Sequence, residues 1–330
     1  MQNNPQTFDP RIKNHVTNQN IYNSSQGNYV CPISDSIKFS YKNDYNPGPI
    51  DNVCKVIVSY KHSLDVANSL TEDFGYDALL YRKPIPVIIY PMGKEFTGTN
   101  FESREGIYDE VLILRTNYAY VIKKQFDLFT FRENEKDVVY SNPITAIRDD
   151  NYVPLSRDKL YKFGVITMCC DTKYDHITER ITDGDTYNDT NVLKANDILQ
   201  FQIQLEASIQ VAICGFHNIL ILPVFGREFN IPIDEQILVF NLCIMKYGHK
   251  FKGIMVCIPP YFDKEIFDIF DSKIIKPQII TSGIETKYKS LSISNRLVSS
   301  KQKTVDNNDN NDNSDKIKML RKLIKQNKKA

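Results

Sequence analysis

The chain has 330 residues, of which 42% are hydrophobic and 25% are charged, close to the averages of folded globular proteins. This composition excludes wholesale disorder and predicts one large domain or two ordinary ones. Because 41 basic and 40 acidic residues leave a net charge of +1, no global field draws nucleic acid or an anionic membrane to the protein. Any such binding must therefore be local.

The first 35 residues are polar and rich in Asn and Gln, and they predict a flexible arm. They lack the basic-then-apolar order of a secretion signal. The seven cysteines form no CxxC pair, which predicts reduced thiols rather than a zinc site or a redox motif. The sequence thus indicates a cytoplasmic protein, with the nucleus as the alternative compartment, and it predicts no metal and no cofactor.

The middle of the chain alternates strand and helix signals. Short β-branched or apolar runs predict strands at 37–41, 55–59, 86–90, 110–114 and 163–168. Apolar residues three or four apart then predict a long helix that opens at 190 or 191 and ends at Gly215 in a left-handed stop. A strand at 218–222, a helix at 234–248 and a strand at 253–258 come next. This order predicts an α/β protein, a sheet covered by helices.

Two stretches have only a superficial likeness to known patterns, one to a membrane span and one to a calcium-binding loop. No formal charge lies between Glu206 and Arg227, which is near the length of a membrane span. Gln210, His217 and Pro223 interrupt it, so we interpret it as a helix end, a turn and a buried strand, and no transmembrane segment is predicted. The acidic residues 183–189 lack the glycine and closing glutamate of a calcium loop, which predicts a solvent loop.

The C-terminal region, 299–330, is predicted to be a low-complexity linker followed by a short basic helix. Residues 306–312 contain only Asp and Asn and cannot bury apolar area. Residues 316–330 carry seven lysines and arginines between apolar residues at helical spacing. A solvated tail is one interpretation of this segment, and a contact with nucleic acid, protein or a membrane surface is the other.

Two turns are candidates for ligand binding. Residues 43–48 come after a predicted strand and have strong turn chemistry, and such a turn presents backbone N–H groups to a phosphate or a ribose. Residues 222–227 form the corresponding turn after the later strand, with the ring of Phe225 and a backbone that bends at Gly226. A plain surface turn remains the alternative for the first, and core packing for Phe225.

The order of these segments resembles that of the microbial-type poly(ADP-ribose) glycohydrolases over roughly residues 37–260. Asn46-Pro47-Gly48 matches the start of the family's Asn-Pro-Gly-Gly-Gly turn. Thr71-Glu72-Asp73 stands at the place of its Gln-Glu-Glu triplet, before a Leu-Tyr pair. Val224-Phe225-Gly226 matches the end of its Gly-Cys-Gly-x-Phe-Gly turn. Further matches in chain order are 80–81, 139–143, 146–150 and 165–168.

The resemblance implies a macro-domain-like three-layer α/β/α sandwich with a mixed sheet over 36–298, between disordered N- and C-terminal tails. It also implies hydrolysis of an O-glycosidic ribose–ribose bond, in which one carboxyl group protonates the leaving oxygen and then helps water attack. Asp73 or Glu72 would be that group. Asn46 and Gly48 would hold the ribose of ADP-ribose, and Phe225 and Gly226 would flank the ribose or the diphosphate.

The departures from the family pattern point to impaired catalysis. Pro49 and Ile50 replace glycines that let the backbone wrap round the ligand, and 221–223 replace Gly-Cys-Gly. Asp73 is one methylene shorter than glutamate, about 1.5 Å, and a misplacement of about 1 Å can cost roughly a hundredfold in rate. A longer gap before Glu72 implies an insertion near 53–68. An ordinary solvated helix face remains the alternative for Glu72 and Asp73.

The sequence therefore predicts a divergent macro-domain-like protein that binds ADP-ribose or a related nucleotide, with weak or lost glycohydrolase activity. If the protein is active, it is an ADP-ribose glycohydrolase; otherwise it is a pseudoenzyme. The alternative is a catalytically dead scaffold that makes its contacts through the basic tail, 316–330.

Overall fold

The structure is a computed structural model that describes residues 9–28, 34–48, 53–74, 86–93, 110–131, 136–170, 176–183, 186–225 and 229–276. All of these except Lys276 belong to one compact unit, Met1–Ile275. The predicted linker and basic tail, and the predicted domain end at 298, lie outside the described residues.

Among the described residues, seven strands form one mixed sheet, and two more form a separate hairpin. In chain order the strands are β1 (Asp35–Phe39), β2 (Lys55–Ser59), β3 (Val87–Gly93), β4 (Val138–Ala146), β5 (Tyr161–Cys170), β6 (His176–Asp183), β7 (Thr186–Leu193), β8 (Ile219–Pro223) and β9 (Gly253–Cys257). The order in the sheet is β1-β4-β5-β3-β8-β9-β2, and β6 pairs with β7. The block from β5 to β2 is parallel, whereas β4 runs antiparallel to both of its neighbours.

Helices cover both faces of this sheet. They are α1 (Pro10–Ser25), α2 (Ser63–Phe74), α3 (Glu110–Arg115), α4 (Tyr118–Lys124), α5 (Ala195–Cys214), α6 (Ile233–Tyr247) and α7 (Lys264–Lys273). Alternate strand residues face opposite layers: Ile88 and Tyr90 join the core under α2, α3 and α4, and α5 packs on the other face against β4 and β5. The predicted three-layer α/β/α sandwich is confirmed. None of the described helices has the length and hydrophobicity that a membrane span requires.

The prediction of β2 at 55–59 is confirmed residue for residue, and those at 86–90, 163–168, 218–222 and 253–258 are confirmed with small shifts. The strand predicted at 110–114 is wrong, because this run forms α3. Residues 111–115 are all buried, and such a short run carries no period that separates helix from strand. The β6–β7 hairpin instead includes Asp183 and residues 186–189 of the predicted solvent loop, as well as the first residues of the predicted long helix.

The region predicted as a flexible arm, 1–35, contains a docked helix. Lys13, Thr17, Asn20 and Ile21 of α1 are buried against α3 and α4. The Asn20 side chain donates to the carbonyl of Leu114 at 2.8 Å and accepts from Nε of Arg148 at 2.7 Å. The docking surface is mostly polar, which explains why hydrophobic patterning does not reveal it.

The stop of α5 falls one residue later than predicted. Gly215 has a negative φ (−77°), and Phe216 takes the left-handed conformation at φ +57°. The amides of Phe216 and His217 bond back to the carbonyls of Ile213 and Ala212, a Schellman motif. Gly215 has another reason to be glycine: a Cβ there would lie 3.0 Å from the His217 ring and 3.2 Å from the hydroxyl of Tyr140.

Candidate functional site

The parallel strands of the sheet end side by side at one edge, which we call the carboxyl edge. Ser59, Cys257 and Pro223 are the last residues of β2, β9 and β8, and they lie in register. The carbonyl of Ser59 accepts from the amide of Ile258 at 2.8 Å, and the carbonyl of Cys257 accepts from the amide of Val224 at 2.9 Å. In open α/β sheets, ligands bind outside this edge. The turns that follow the strands at the carboxyl edge are therefore candidate binding positions.

The turn from β2 to α2 is only three residues long, and α2 begins at once with Ser63. Ser63 is 3% exposed, and within the described part of the chain its Oγ has no hydrogen-bond partner. The carbonyl of His62 accepts from the amides of Asp65 and Val66, both at 3.1 Å. The amides of Ser63 and Leu64 precede these, and the first amides of a helix have no acceptor within it. A buried hydroxyl at the positive end of a helix dipole favours an anionic ligand.

Aromatic rings lie beside this helix start. The ring of His62 lies 5.7 Å from that of Tyr261, which stacks on Phe262 at 5.0 Å and 29°. The hydroxyl of Tyr60 donates to the carbonyls of Pro260 (3.1 Å) and Phe262 (2.6 Å), so the loop after β9 is fixed to the turn after β2. Half-buried rings of this kind offer a flat surface on which a planar group can stack.

An ion pair holds the first turn of α2 in place. Arg115 donates from one terminal nitrogen to Asp65 at 2.7 Å, and their side chains are 6% and 32% exposed. Burial alone would lower the pKa of the Arg115 guanidinium, but the charge and hydrogen bond of Asp65, together with Tyr161 and Tyr152, raise that pKa. The hydroxyl of Tyr161 donates to the carbonyl of Leu64 at 3.4 Å. The helix start is thus fixed from both sides.

The predicted turn at Asn46-Pro47-Gly48 has the local geometry expected of it. Oδ1 of Asn46 accepts from the amide of Gly48 at 2.9 Å, and Gly48 has φ +79°. Its place in the fold is nevertheless far from the carboxyl edge. The turn lies beside Lys250, and the ring of Tyr45 is 6.3 Å from that of Tyr247, at the end of α6. The segment therefore crosses the C-terminal ends of α5 and α6, where the parallel strands begin.

Phe225 comes after β8 at the opposite end of the same helices. It is 2% exposed, and its ring packs edge-on against Phe201, Phe229 and Phe240 at 5.1–5.9 Å. Gln236, whose side chain bonds to the Phe225 backbone, is separated from Tyr247 by about 16 Å of helix. The structure therefore does not bring Asn46 and Gly48 together with Phe225, and the Phe225 ring belongs to the core. Gly226 lies outside the described residues.

The predicted catalytic pair, Glu72 and Asp73, falls in the last turn of α2, and the side chains there are not described. That turn is about 14 Å along the helix from Ser63. The Leu-Tyr pair at 80–81 lies outside the described residues. Residues 53–68, predicted as an insertion, contain β2 and the first half of α2, so the segment is part of the α/β core. No group of His, Cys, Asp and Glu in the described chain is arranged to hold a metal ion.

Sequence reasoning missed the β2–α2 turn as a candidate. The signal was present, because 55–59 is predicted as a strand and the carboxyl-edge rule applies to the residues directly after it. Tyr60, His62 and Ser63 carry no turn signature of Gly, Pro or Asn, whereas 43–48 carries a strong one. The unpartnered state of Ser63 depends on contacts that only the folded chain reveals.

Comparison with solved structures gives the fold a precedent. The poly(ADP-ribose) glycohydrolase of Thermomonospora curvata matches 80% of this chain and 100% of its own at a TM-score of 0.57 and 14% identity. The same protein bound to the inhibitor ADP-HPD gives 0.55 and 13% over the same shares. A variant from Deinococcus radiodurans in complex with ADP-ribose gives 0.50 and 11%, over 68% of this chain and 85% of its own.

These likenesses establish the fold, and at that level the predicted resemblance to the microbial-type poly(ADP-ribose) glycohydrolases is confirmed. No protein-family model matches the sequence, and no curated protein matches it either. Activity and ligand are therefore argued from the site.

Proposed function

We propose that this protein binds ADP-ribose or a related nucleotide at the start of α2, and that it does not hydrolyse poly(ADP-ribose). Two kinds of observation support the proposal. Proteins of the same fold have been solved in complex with ADP-ribose and with ADP-HPD. In this chain, the carboxyl edge carries a helix start and a stack of aromatic rings side by side.

The buried hydroxyl of Ser63 carries the proposal. Burying a hydroxyl without a hydrogen-bond partner costs about 1–3 kcal/mol, so such a group calls for an explanation. A phosphate or ribose oxygen at this place would accept from Ser63 Oγ and from the first amides of α2. The rings of His62 and Tyr261 would then flank the base or the ribose.

The absence of turnover is inferred from the positions of three carboxylates: the two that the resemblance assigns to catalysis and the one in the first turn of α2. Hydrolysis needs a carboxyl group within hydrogen-bond reach of the leaving oxygen. Glu72 and Asp73 belong to the far end of α2, and Asp65, in its first turn, is paired with Arg115. A group that is misplaced by even about 1 Å can lose roughly a hundredfold in rate.

Calorimetric titration of ADP-ribose into the full chain tests the proposal. We expect binding, and we expect Ser63→Ala to weaken it about tenfold, which is about 1.4 kcal/mol. Ser69→Ala is the matched control, because Ser69 lies on the same helix and donates to the carbonyl of Asp65 at 3.0 Å. Binding that Ser63→Ala leaves unchanged, or release of ADP-ribose from poly(ADP-ribose) by the wild-type protein, would refute the proposal.

Nothing tests the roles that the resemblance predicts for the site residues, and the binding place proposed here, at the start of α2, is an alternative to them. These residues are Glu72, Asp73, Asn46, Gly48, Phe225 and Gly226. The alternative function, a scaffold that contacts nucleic acid or protein through 316–330, depends on residues outside the described part of the chain and also stays a prediction.

A further inference from the structure

The edge of the sheet opposite the candidate site, where β2, β8 and β9 begin, combines an exposed aromatic ring with clustered lysines; we call it the amino edge. Phe216, just before β8, is 91% exposed. Lys252 precedes β9 and Lys55 opens β2. Neighbouring strands lie about 4.8 Å apart, so these three strand starts form a short row.

Backbone hydrogen bonds hold the row together. The amide of Lys252 donates to the carbonyl of Asn218 at 2.7 Å, and the amide of Lys55 donates to the carbonyl of Lys252 at 3.0 Å. Asn218 is two residues from Phe216, a span of at most about 7 Å. The backbone positions of Phe216, Lys55 and Lys252 are therefore close together at the amino edge.

Further lysines extend this surface. Lys250 lies beside Gly48, and Lys42 is bonded through its amide to the Gln210 side chain at 3.1 Å. The exposed lysines are Lys42, Lys55 and Lys252, and Lys250 is half-buried. The segment 41–48 also contains one exposed acidic residue, Asp44. We name Lys42, Lys55, Lys250 and Lys252 the lysine patch. On a protein with a net charge of +1, this patch is a local concentration of positive charge.

Phe216 is held in a backbone conformation that is unfavourable for a residue with a Cβ. A left-handed residue with a Cβ is strained, and glycine is the usual residue at this position of a Schellman motif. The ring gains little from packing, since it is almost fully exposed. Residues with a strained backbone cluster at functional sites, and this one also presents an exposed aromatic ring.

We infer that the lysine patch and Phe216 form a docking surface for single-stranded nucleic acid. Lysines contact the phosphates and an exposed ring stacks on an unpaired base, the two elements that sequence-independent single-strand binding uses. A duplex keeps its bases stacked and offers none to Phe216. An acidic peptide would satisfy the lysines and leave the ring without a planar partner.

Fluorescence anisotropy with a labelled oligothymidylate and the full chain tests this inference. Phe216→Gly removes the ring and relieves the strain, so we expect affinity to fall about tenfold while Tm stays the same or rises. Lys55→Gln with Lys252→Gln is expected to reduce the slope of log K against log salt by roughly 1.4. The matched controls are Tyr22→Ala, an exposed ring on α1, and Lys264→Gln, an exposed lysine on α7.

Equal affinity for duplex DNA, or full competition by polyglutamate, would overturn the assignment to single strands. So would an affinity that neither patch variant changes, since the basic segment 316–330 is present in every variant and would then be the source of binding. The test is separate from that of the proposed function, because Ser63→Ala should leave oligonucleotide binding intact and Phe216→Gly should leave ADP-ribose binding intact.

Discussion

The side-chain amide of Gln236 spans the backbone of Phe225: its oxygen accepts from the Phe225 amide at 3.0 Å and its nitrogen donates to the Phe225 carbonyl at 3.1 Å. The same nitrogen donates to the carbonyl of Ile231 at 3.0 Å. All of this is buried, with Gln236 only 2% exposed. One side chain on α6 thus fixes the turn that leaves β8.

Replacing Gln236 by Ala should therefore destabilise the protein by about 3 kcal/mol, because three buried backbone groups lose their partner. Urea denaturation with far-UV circular dichroism measures this. Gln26→Ala, at an exposed position after α1, should cost less than about 0.5 kcal/mol. Similar midpoints for the two variants would contradict the role given to Gln236.

Glu206 is the shared acceptor of a buried polar cluster between α5 and α6. Its carboxylate accepts from Lys246 at 2.6 Å, Gln202 at 2.8 Å, Tyr247 at 2.9 Å and Tyr41 at 3.1 Å. Burial alone would raise the pKa of Glu206, but Lys246 and the hydrogen bonds outweigh it and lower that pKa below its ordinary value near 4.5. The cluster fixes the segment that carries Asn46 to the two helices.

Glu206→Gln should lower stability at pH 7 by about 2 kcal/mol, a moderate figure for a buried pair because Lys246 is partly exposed. A lowered pKa in the folded state means that the contribution is complete above the ordinary value and is lost as the pH falls through the folded-state pKa. The gap in unfolding free energy between wild type and variant should therefore narrow below about pH 4.5. Urea midpoints at about pH 7 and about pH 3.5 measure the gap, with Glu265→Gln as the exposed control. A gap of equal size at both values would contradict the account.

Because α1 is docked, Asn20 should contribute to stability, whereas Asn18, on the exposed side of the helix, should not. Asn20→Ala removes the acceptor for buried Arg148 and the donor to Leu114, which should cost about 2 kcal/mol. Asn18→Ala, on the exposed side of the same helix, should be close to neutral. Thermal unfolding and limited proteolysis within 9–28 report the difference. A flexible arm would show none.

The far end of α2 should be dispensable for binding. Glu72→Gln and Asp73→Asn are expected to change the affinity for ADP-ribose by less than about twofold, because about 14 Å of helix separates this turn from Ser63. Calorimetry measures the affinity, with Ser63→Ala as the variant that should respond. A tenfold loss in either carboxylate variant would instead place these residues in the ligand site.

The sequence predicts local structure better than it predicts the site. β2 and the buried face of α5, including Phe201 and Leu205, can be predicted from apolar patterning alone. The turn chemistry at Asn46 and Gly48 is also predicted correctly. What the sequence does not contain is the edge at which that turn lies, because long-range contacts with Tyr247 and Lys250 decide it. Motifs that follow a family's order along the chain therefore need not lie close together in the fold.

Amide hydrogen exchange with and without ADP-ribose tests the central claim most directly, since it reports on both ends of the sheet at once. The account predicts slower exchange in 62–66, at the start of α2, when the protein is saturated with ADP-ribose, and unchanged exchange in 42–48. Protection of 42–48 with none at the start of α2, or no protection in either segment at millimolar ADP-ribose, would contradict it.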